Sequence, residues 1–229
     1  MEQPEGPALG PANWTLHRRF VKPMHYYPIF LDVRGRRAVV VGGGKVAERK
    51  VRTLLGAGAK VRVISPELTP QLARWAAQKK ISVAHRRYRQ GDLAAKPQGG
   101  APFLLFAATN DLVTQRAVGA HGRFAGALVN RADEASDADF IVPASFAGGG
   151  MHVAISTSGA SPALARMLRR RLQVILGKGY GERLRRLRAA RKQVLASVPA
   201  QKERAKVFRE LAVNIRKVKS QRSNVKRQR

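Results

Sequence analysis

Cysteine is absent from all 229 residues. That excludes disulfides, thiolate nucleophiles, cysteine-ligated zinc and iron–sulfur clusters together. Long apolar runs are missing as well, and no segment approaches the roughly 20 apolar residues that span a bilayer. Pro4, Gly6, Pro7, Gly10 and Pro11 break up the start of the chain, which lacks the apolar core of a secretory leader. Both absences lead us to expect a cytoplasmic protein with no membrane span. Histidine is sparse and scattered (His17, His25, His85, His121, His152), so no preformed metal site is expected. Acids are scarce too, with 14 Asp and Glu against 44 Lys and Arg, a net charge of +30. Such an imbalance calls for an anionic partner.

What the chain does contain is ordered. Arg37-Ala38-Val39-Val40-Val41 is a β-branched run that ends in Gly42-Gly43-Gly44, and a helical pattern starts at once with Lys45-Val46-Ala47-Glu48-Arg49-Lys50. Strand, glycine turn and helix in that order suit a dinucleotide pyrophosphate. The first glycine allows the tight turn, Gly44 lets the backbone approach the phosphates, and Ala47 lets helix and strand pack closely. The helix N-terminus then offers free N–H groups to the anion.

Further short apolar runs alternate with helical patterns. Strands are expected at Val61–Ile64, Ile81–Ala84 (an edge), Phe103–Ala107, Ala127–Val129 and Met151–Ile155. Helices are expected from Val46, over about Leu68–Gln78, over about Leu112–His121, and from Pro162. Continuous apolar strands separated by helices predict a Rossmann-type doubly wound parallel sheet of the α/β class. Ligands of such sheets lie beyond the carboxyl ends of the strands. The second strand ends in Ser65-Pro66-Glu67 and the fourth in Thr109-Asn110-Asp111, all candidate nucleotide contacts. Asn110 or Asp111 can equally cap the following helix. No arginine replaces an acid at the second strand's end, and the residues leave NAD against NADP open.

Past the fifth strand, Asn130-Arg131-Ala132-Asp133-Glu134-Ala135-Ser136-Asp137-Ala138-Asp139 holds four acids in seven residues. A carboxylate there, kept ionised by nearby cations, can accept a proton; a solvated loop accounts for most of the four. Ser156-Thr157-Ser158-Gly159-Ala160-Ser161-Pro162 then turns from strand into helix. Ser161 is a suitable N-cap and Pro162 a suitable first helical residue. Hydroxyls, glycine and a helix N-terminus also make a cradle for carboxylate or phosphate.

The last 52 residues carry 18 Lys and Arg against three Glu, half of the whole surplus. Leu184, Leu187, Val194, Leu195 and Val198, then after Pro199 Val207, Phe208, Leu211, Ile215 and Val218, mark two amphipathic helices with arginine-rich outer faces. The expected organisation is a flexible extension at 1–23, a dinucleotide domain at 24–142, a small α+β segment at 143–176, a basic helical region at 177–218 and a disordered basic tail at 219–229.

Tyr27-Pro28-Ile29-Phe30-Leu31, Val41 to Lys50, Ala107 to Asp111, Phe140-Ile141-Val142-Pro143-Ala144 and Ala154 to Arg166 together resemble the signature of the siroheme synthase N-terminal module. The resemblance spans about residues 25–175. That family comprises precorrin-2 dehydrogenases, many of them also sirohydrochlorin ferrochelatases. It implies NAD as cofactor, a tetrapyrrole rimmed with carboxylates as substrate, ferrous iron as a second substrate in the chelating members, and a homodimer formed through the segment after the sheet. It also implies that Asp133, in an Asn-x-x-Asp setting with Asn130, removes a macrocycle proton. Gly42, Gly43, Gly44, Lys45, Val46, Ser65, Pro66, Glu67, Thr109 and Asn110 are then candidates for the dinucleotide. Asn130, Ser156, Thr157, Ser158, Gly159 and Ser161 are candidates for the substrate. Thr157 stands where some members carry serine, and Arg131-Ala132 replaces the apolar pair usual between Asn and Asp. The lack of a following methyltransferase half implies that another protein performs the earlier methylation.

A different class of reading rests on the basic tail, namely a nucleic-acid-associated Rossmann protein that uses the dinucleotide as a sensor ligand. Steeply salt-dependent binding would mark it. An aromatic content of 6% and the lack of a base-reading motif count against it.

Overall fold

The computed structural model describes residues 26–93, 100–131, 137–176 and 180–214, with side chains as far as Leu211. The expected N-terminal extension and basic tail, and Asp133 and Glu134, lie outside the described residues. Two compact units divide at Ile141/Val142.

The first unit is a five-stranded sheet. Its strands are β1 (Arg37–Val41), β2 (Lys60–Ile64), β3 (Ile81–Ala84), β4 (Leu104–Ala107) and β5 (Leu128–Arg131), interspersed with helices α1 (Lys45–Gly56), α2 (Pro70–Ala77) and α3 (Leu112–Phe124). All pairings are parallel and the order is β3-β2-β1-β4-β5, so the expected doubly wound sheet is present. Side-chain alternation splits the core between two faces. Ala38, Val40, Val61, Val63, Leu104 and Phe106 pack with Ala47, Val51 and Leu54 of α1 and Leu72 of α2. Val39, Val41, Ile64, Leu105, Ala107 and Val129 pack with Val118 of α3. Helices on both faces explain why β1 and β4 read as unbroken apolar runs.

Element ends follow local chemistry. The helix expected from Leu68 begins two residues later, because Thr69 is the N-cap, with its hydroxyl accepting from Leu72 N–H at 3.3 Å, and Pro70 takes the first helical position. The strand expected to end at Val129 continues through Asn130 and Arg131, both buried. These polar residues stay in the strand because each finds a partner. Arg131 pairs with Asp137, and Asn130 is bonded at both ends of its amide.

The second unit begins with an antiparallel hairpin of β6 (Ala144–Gly148) and β7 (Met151–Ile155), followed by α4 (Pro162–Leu176), α5 (Tyr180–Ser197) and α6 (Gln201–Asn214). β6, with the sequence Ala-Ser-Phe-Ala-Gly, has almost no β-branched content. Its pairing with β7, not propensity, makes it a strand. Among the described residues no helix is long and apolar enough to cross a membrane.

Candidate active site

The sheet reverses its winding between β1 and β4, where Val41 is opposite Ala107. The glycine turn fills the crevice at their carboxyl ends and is pinned from both sides. Gly42 N–H donates to Ile64 O at 2.9 Å, Ala108 N–H to Val41 O at 2.8 Å, and Thr69 N–H to Gly43 O at 3.0 Å. The three glycines have different reasons to lack side chains. Gly42 has a φ of +121°, and a methyl group there would lie 2.2 Å from Ala108 O. A methyl on Gly43 would lie 1.8 Å from Glu67 O and 2.7 Å from Ser65 Oγ. Gly44 faces open space, with nothing within 4 Å of the same point. Gly42 and Gly43 are therefore small for the protein's sake, whereas Gly44 is small with no protein atom to require it.

Gly44 is also the N-cap of α1 and offers no side chain to its first turn, so the leading N–H groups have no side-chain acceptor. Uncapped N–H groups, the positive end of the helix and an open glycine fit a pyrophosphate. Lys45 and Val46 are exposed beside it. Lys45 Nζ lies 3.8 Å from the Glu48 carboxylate, which also takes a 2.7 Å bond from Arg52.

The other expected nucleotide contacts converge on the same edge. Ser65 is buried beneath Gly43, while Pro66 and Glu67 are exposed. After β4, Asp111 is the cap of α3, accepting from Val113 N–H at 3.0 Å and from the Thr114 hydroxyl, which holds its carboxyl below the ordinary carboxylate range. Asn110 is left exposed, and Thr109 is fixed by Gln115, whose amide donates to Thr109 O at 2.7 Å.

Beyond β5 the acidic cluster resolves into separate roles. Asp137 binds Arg131 and Arg123, and hydrogen bonds from these two guanidinium groups hold its carboxyl below the usual range. Asp139 exchanges backbone bonds with the edge strand: its carboxylate takes Val129 N–H at 2.8 Å and its own N–H donates to Val129 O at 2.9 Å. These two acids are structural ion pairs and edge cover, not free loop charges. Asn130 is buried; its Oδ1 accepts from Lys50 Nζ at 2.8 Å and its Nδ2 donates to Phe140 O at 2.8 Å. Sequence reading missed Lys50, which lies in the helix motif but carries no spacing cue toward β5.

In the second unit, the hydroxyls of the turn before α4 accept bonds from their own backbone. Ser156 Oγ takes Ser158 N–H, Thr157 Oγ1 takes Ser161 N–H, and Ser161 Oγ caps α4 through Leu164 N–H, each at 3.1 Å. Ser158 has a φ of +50° and Gly159 a φ of +88°. Local capping is thus met, and each hydroxyl keeps its proton to donate outward.

Comparison with known proteins follows the same boundaries. The family described as "Putative NAD(P)-binding" matches residues 29–144, and that described as "Sirohaem biosynthesis protein central" matches residues 149–174. The siroheme synthase of Nitrosococcus oceani is 41% identical over 158 residues, covering 69% of this chain and 32% of that protein. That of Chromobacterium violaceum is 39% identical over 182 residues, covering 77% and 36%. This chain belongs to the siroheme synthase N-terminal module family. It spans about a third of the length of these curated relatives. A solved structure titled "SirC, precorrin-2 dehydrogenase" is similar over 84% of this chain and 100% of its own, with a TM-score of 0.62 and 27% identity. The first of these families gives the chain a ligand class, a nicotinamide dinucleotide.

Proposed function

We propose that this chain is a precorrin-2 dehydrogenase, which oxidises precorrin-2 to sirohydrochlorin with NAD. The carrying observation is the open Gly44 at the uncapped start of α1, set at the switch point of the sheet. Likeness to the whole of a chain titled precorrin-2 dehydrogenase supports the choice of substrate. Gly42, Gly43, Gly44, Lys45 and Val46 would hold the pyrophosphate, and Ser65, Pro66, Glu67, Thr109 and Asn110 the remainder of the dinucleotide. NAD is proposed over NADP because Glu67 is the charged residue that follows β2, and a carboxylate repels a 2′-phosphate. The nicotinamide, when bound, supplies two-electron oxidising capacity. The chain's own part is to orient the macrocycle and to take the proton that oxidation releases, a role we give to Asp133.

The exposed hydroxyl turn from Ser156 to Ser161 would receive substrate carboxylates, and the strongly basic surface would attract them from a distance. Iron insertion needs no resident metal site, since the tetrapyrrole nitrogens bind the ion. We further propose that the protein acts as a cytoplasmic homodimer. The nucleic-acid-associated alternative is not favoured, because the matches lie with tetrapyrrole enzymes.

The deciding experiment supplies purified full-length protein with precorrin-2 and NAD and follows NADH absorbance. The wild type is expected to turn over. Asp133→Ala is expected to lose about 100-fold or more in kcat. No NADH from the wild type would refute the reading. Sirohydrochlorin with ferrous or cobalt ion in the same preparation tests chelation separately.

A further inference from the structure

Lys50 lies in the second turn of α1, about 9 Å along the helix axis from the Gly44 cap. Its neighbour Arg49 is exposed, but Lys50 is half-buried and reaches over the sheet, away from solvent. Its ammonium sits 5.1 Å from the centre of the Phe106 ring on β4 and donates to Asn130 Oδ1 on β5 at 2.8 Å. Asn130 passes the contact on, since its Nδ2 donates to Phe140 O at 2.8 Å, and the Phe140 ring packs edge-on against Phe106 at 5.5 Å. Burial, with Arg49 adding repulsion, pushes the Lys50 ammonium down to about 8.

The position of this network matters. Asn130 and Phe140 flank the segment that follows β5. Two further ties close the same ends: Val129 with Asp139, and Arg131 with Asp137. The Asn130–Phe140 tie is connected to α1 through Lys50. A solvated surface would satisfy a lysine at no cost, so a half-buried ammonium held this way needs a structural reason.

We propose that Lys50 is a positioning residue, which links the helix that receives the dinucleotide to the two ends of the segment holding Asp133 in sequence. Nucleotide bound at the start of α1 steadies that helix. Through Lys50, Asn130 and the Phe140 carbonyl, it also steadies the ends of the segment after β5. This inference rests on the dehydrogenase reading for its purpose, but not for its test.

The test is amide hydrogen exchange on the full-length protein, with and without NAD, for wild type and Lys50→Met, which keeps the length and loses the donor. In the wild type, NAD should slow exchange in the first turn of α1 and in residues 128–131 and 137–141. In Lys50→Met the slowing should persist in α1 and fall by about fivefold or more in the other two stretches. The dissociation constant for NAD should stay within about twofold, while kcat with precorrin-2 falls about 10- to 100-fold. Slowing retained in both stretches overturns the proposal. So does slowing lost equally in α1, which would make Lys50 a nucleotide contact. If Lys50→Met does not fold, the isosteric Asn130→Asp, which keeps the bond from Lys50 and loses the donor to Phe140, decides by the same criteria. A wild type that makes no NADH from precorrin-2 fails the functional reading alone and leaves the exchange result standing.

Discussion

Gly43 and Glu67 touch through main chain: a methyl group on Gly43 would lie 1.8 Å from the Glu67 carbonyl oxygen. The turn after β1 is therefore locked to the exit of β2 before any ligand arrives. Gly44, one residue on, meets nothing within 4 Å. Two alanine substitutions should consequently separate stability from binding. Gly43→Ala forces backbone apart and should cost about 2–4 kcal/mol. Gly44→Ala should cost less than about 1 kcal/mol, since alanine is only a poorer N-cap. It should nevertheless weaken NAD binding about tenfold or more, because its methyl stands where phosphate would approach. Thermal midpoints and calorimetric NAD titration on the pair give the answer. Unchanged NAD affinity in Gly44→Ala would remove the pyrophosphate from this turn.

Asp139 should matter for folding rather than for substrate. Its carboxylate takes the Val129 N–H on the open edge of β5 and also meets Arg123. Asp139→Ala leaves a strand N–H without its acceptor, which should cost about 1–3 kcal/mol. Asp139→Asn keeps an acceptor oxygen and should cost about 1 kcal/mol or less. Urea midpoints of the two variants compare these directly. Equal losses would mean that charge, not the edge bond, is what Asp139 contributes.

The fold was legible because its signals were redundant. Val39, Val40 and Val41 followed by three glycines admit few alternatives, and Phe103 to Ala107 could only be a strand covered on both faces. The nucleotide edge was legible for the same reason, since strand ends and glycine turns are local features. What escaped reading was long-range pairing. Nothing in the spacing of Asn130, Arg131, Asp137 and Asp139 announces that two arginines and an edge strand absorb the last two acids. Lys50 reads as one more cation on a basic helix, and its meeting with Asn130 spans 80 residues of sequence. β6 escaped because a strand of alanine, serine and glycine is made by its partner.

Lys50 also predicts a pH effect on stability. Its ammonium is pushed down to about 8 in the folded protein against an ordinary 10.5. Below pH 8 both folded and unfolded chains hold the proton, and stability does not depend on this group. Between about 8 and 10.5 the unfolded chain keeps a proton that the folded chain has released, so stability rises with pH. Tyr88, which burial pushes up to about 12, works in the opposite direction from pH 10 upward. It packs against the other face of the sheet, so its contribution cancels between wild type and Lys50→Met. Urea stability of the two proteins at pH 7.5, 8.5 and 9.5 should therefore show a gap that narrows as pH rises if Lys50→Met is the more stable protein, and widens if wild type is. A gap independent of pH would mean that Lys50 titrates normally.

The proposed homodimer makes its own demand on α4. Leu164, Met167, Val174 and Ile175 remain exposed on this helix, Val174 at 83% and Ile175 at 66%. Met167 and Val174 are seven residues apart and share a face. An apolar face of this kind is costly in water, and a second copy of the chain would cover it. Val174→Asp places a charge on that face at a position with little contact inside its own unit, so the isolated fold should lose less than about 1 kcal/mol. If the face is the interface, light scattering after size exclusion should give a dimer for wild type and a monomer for Val174→Asp at micromolar concentration. A dimer in both would move the interface elsewhere, and a monomer in both would remove the homodimer from the proposal.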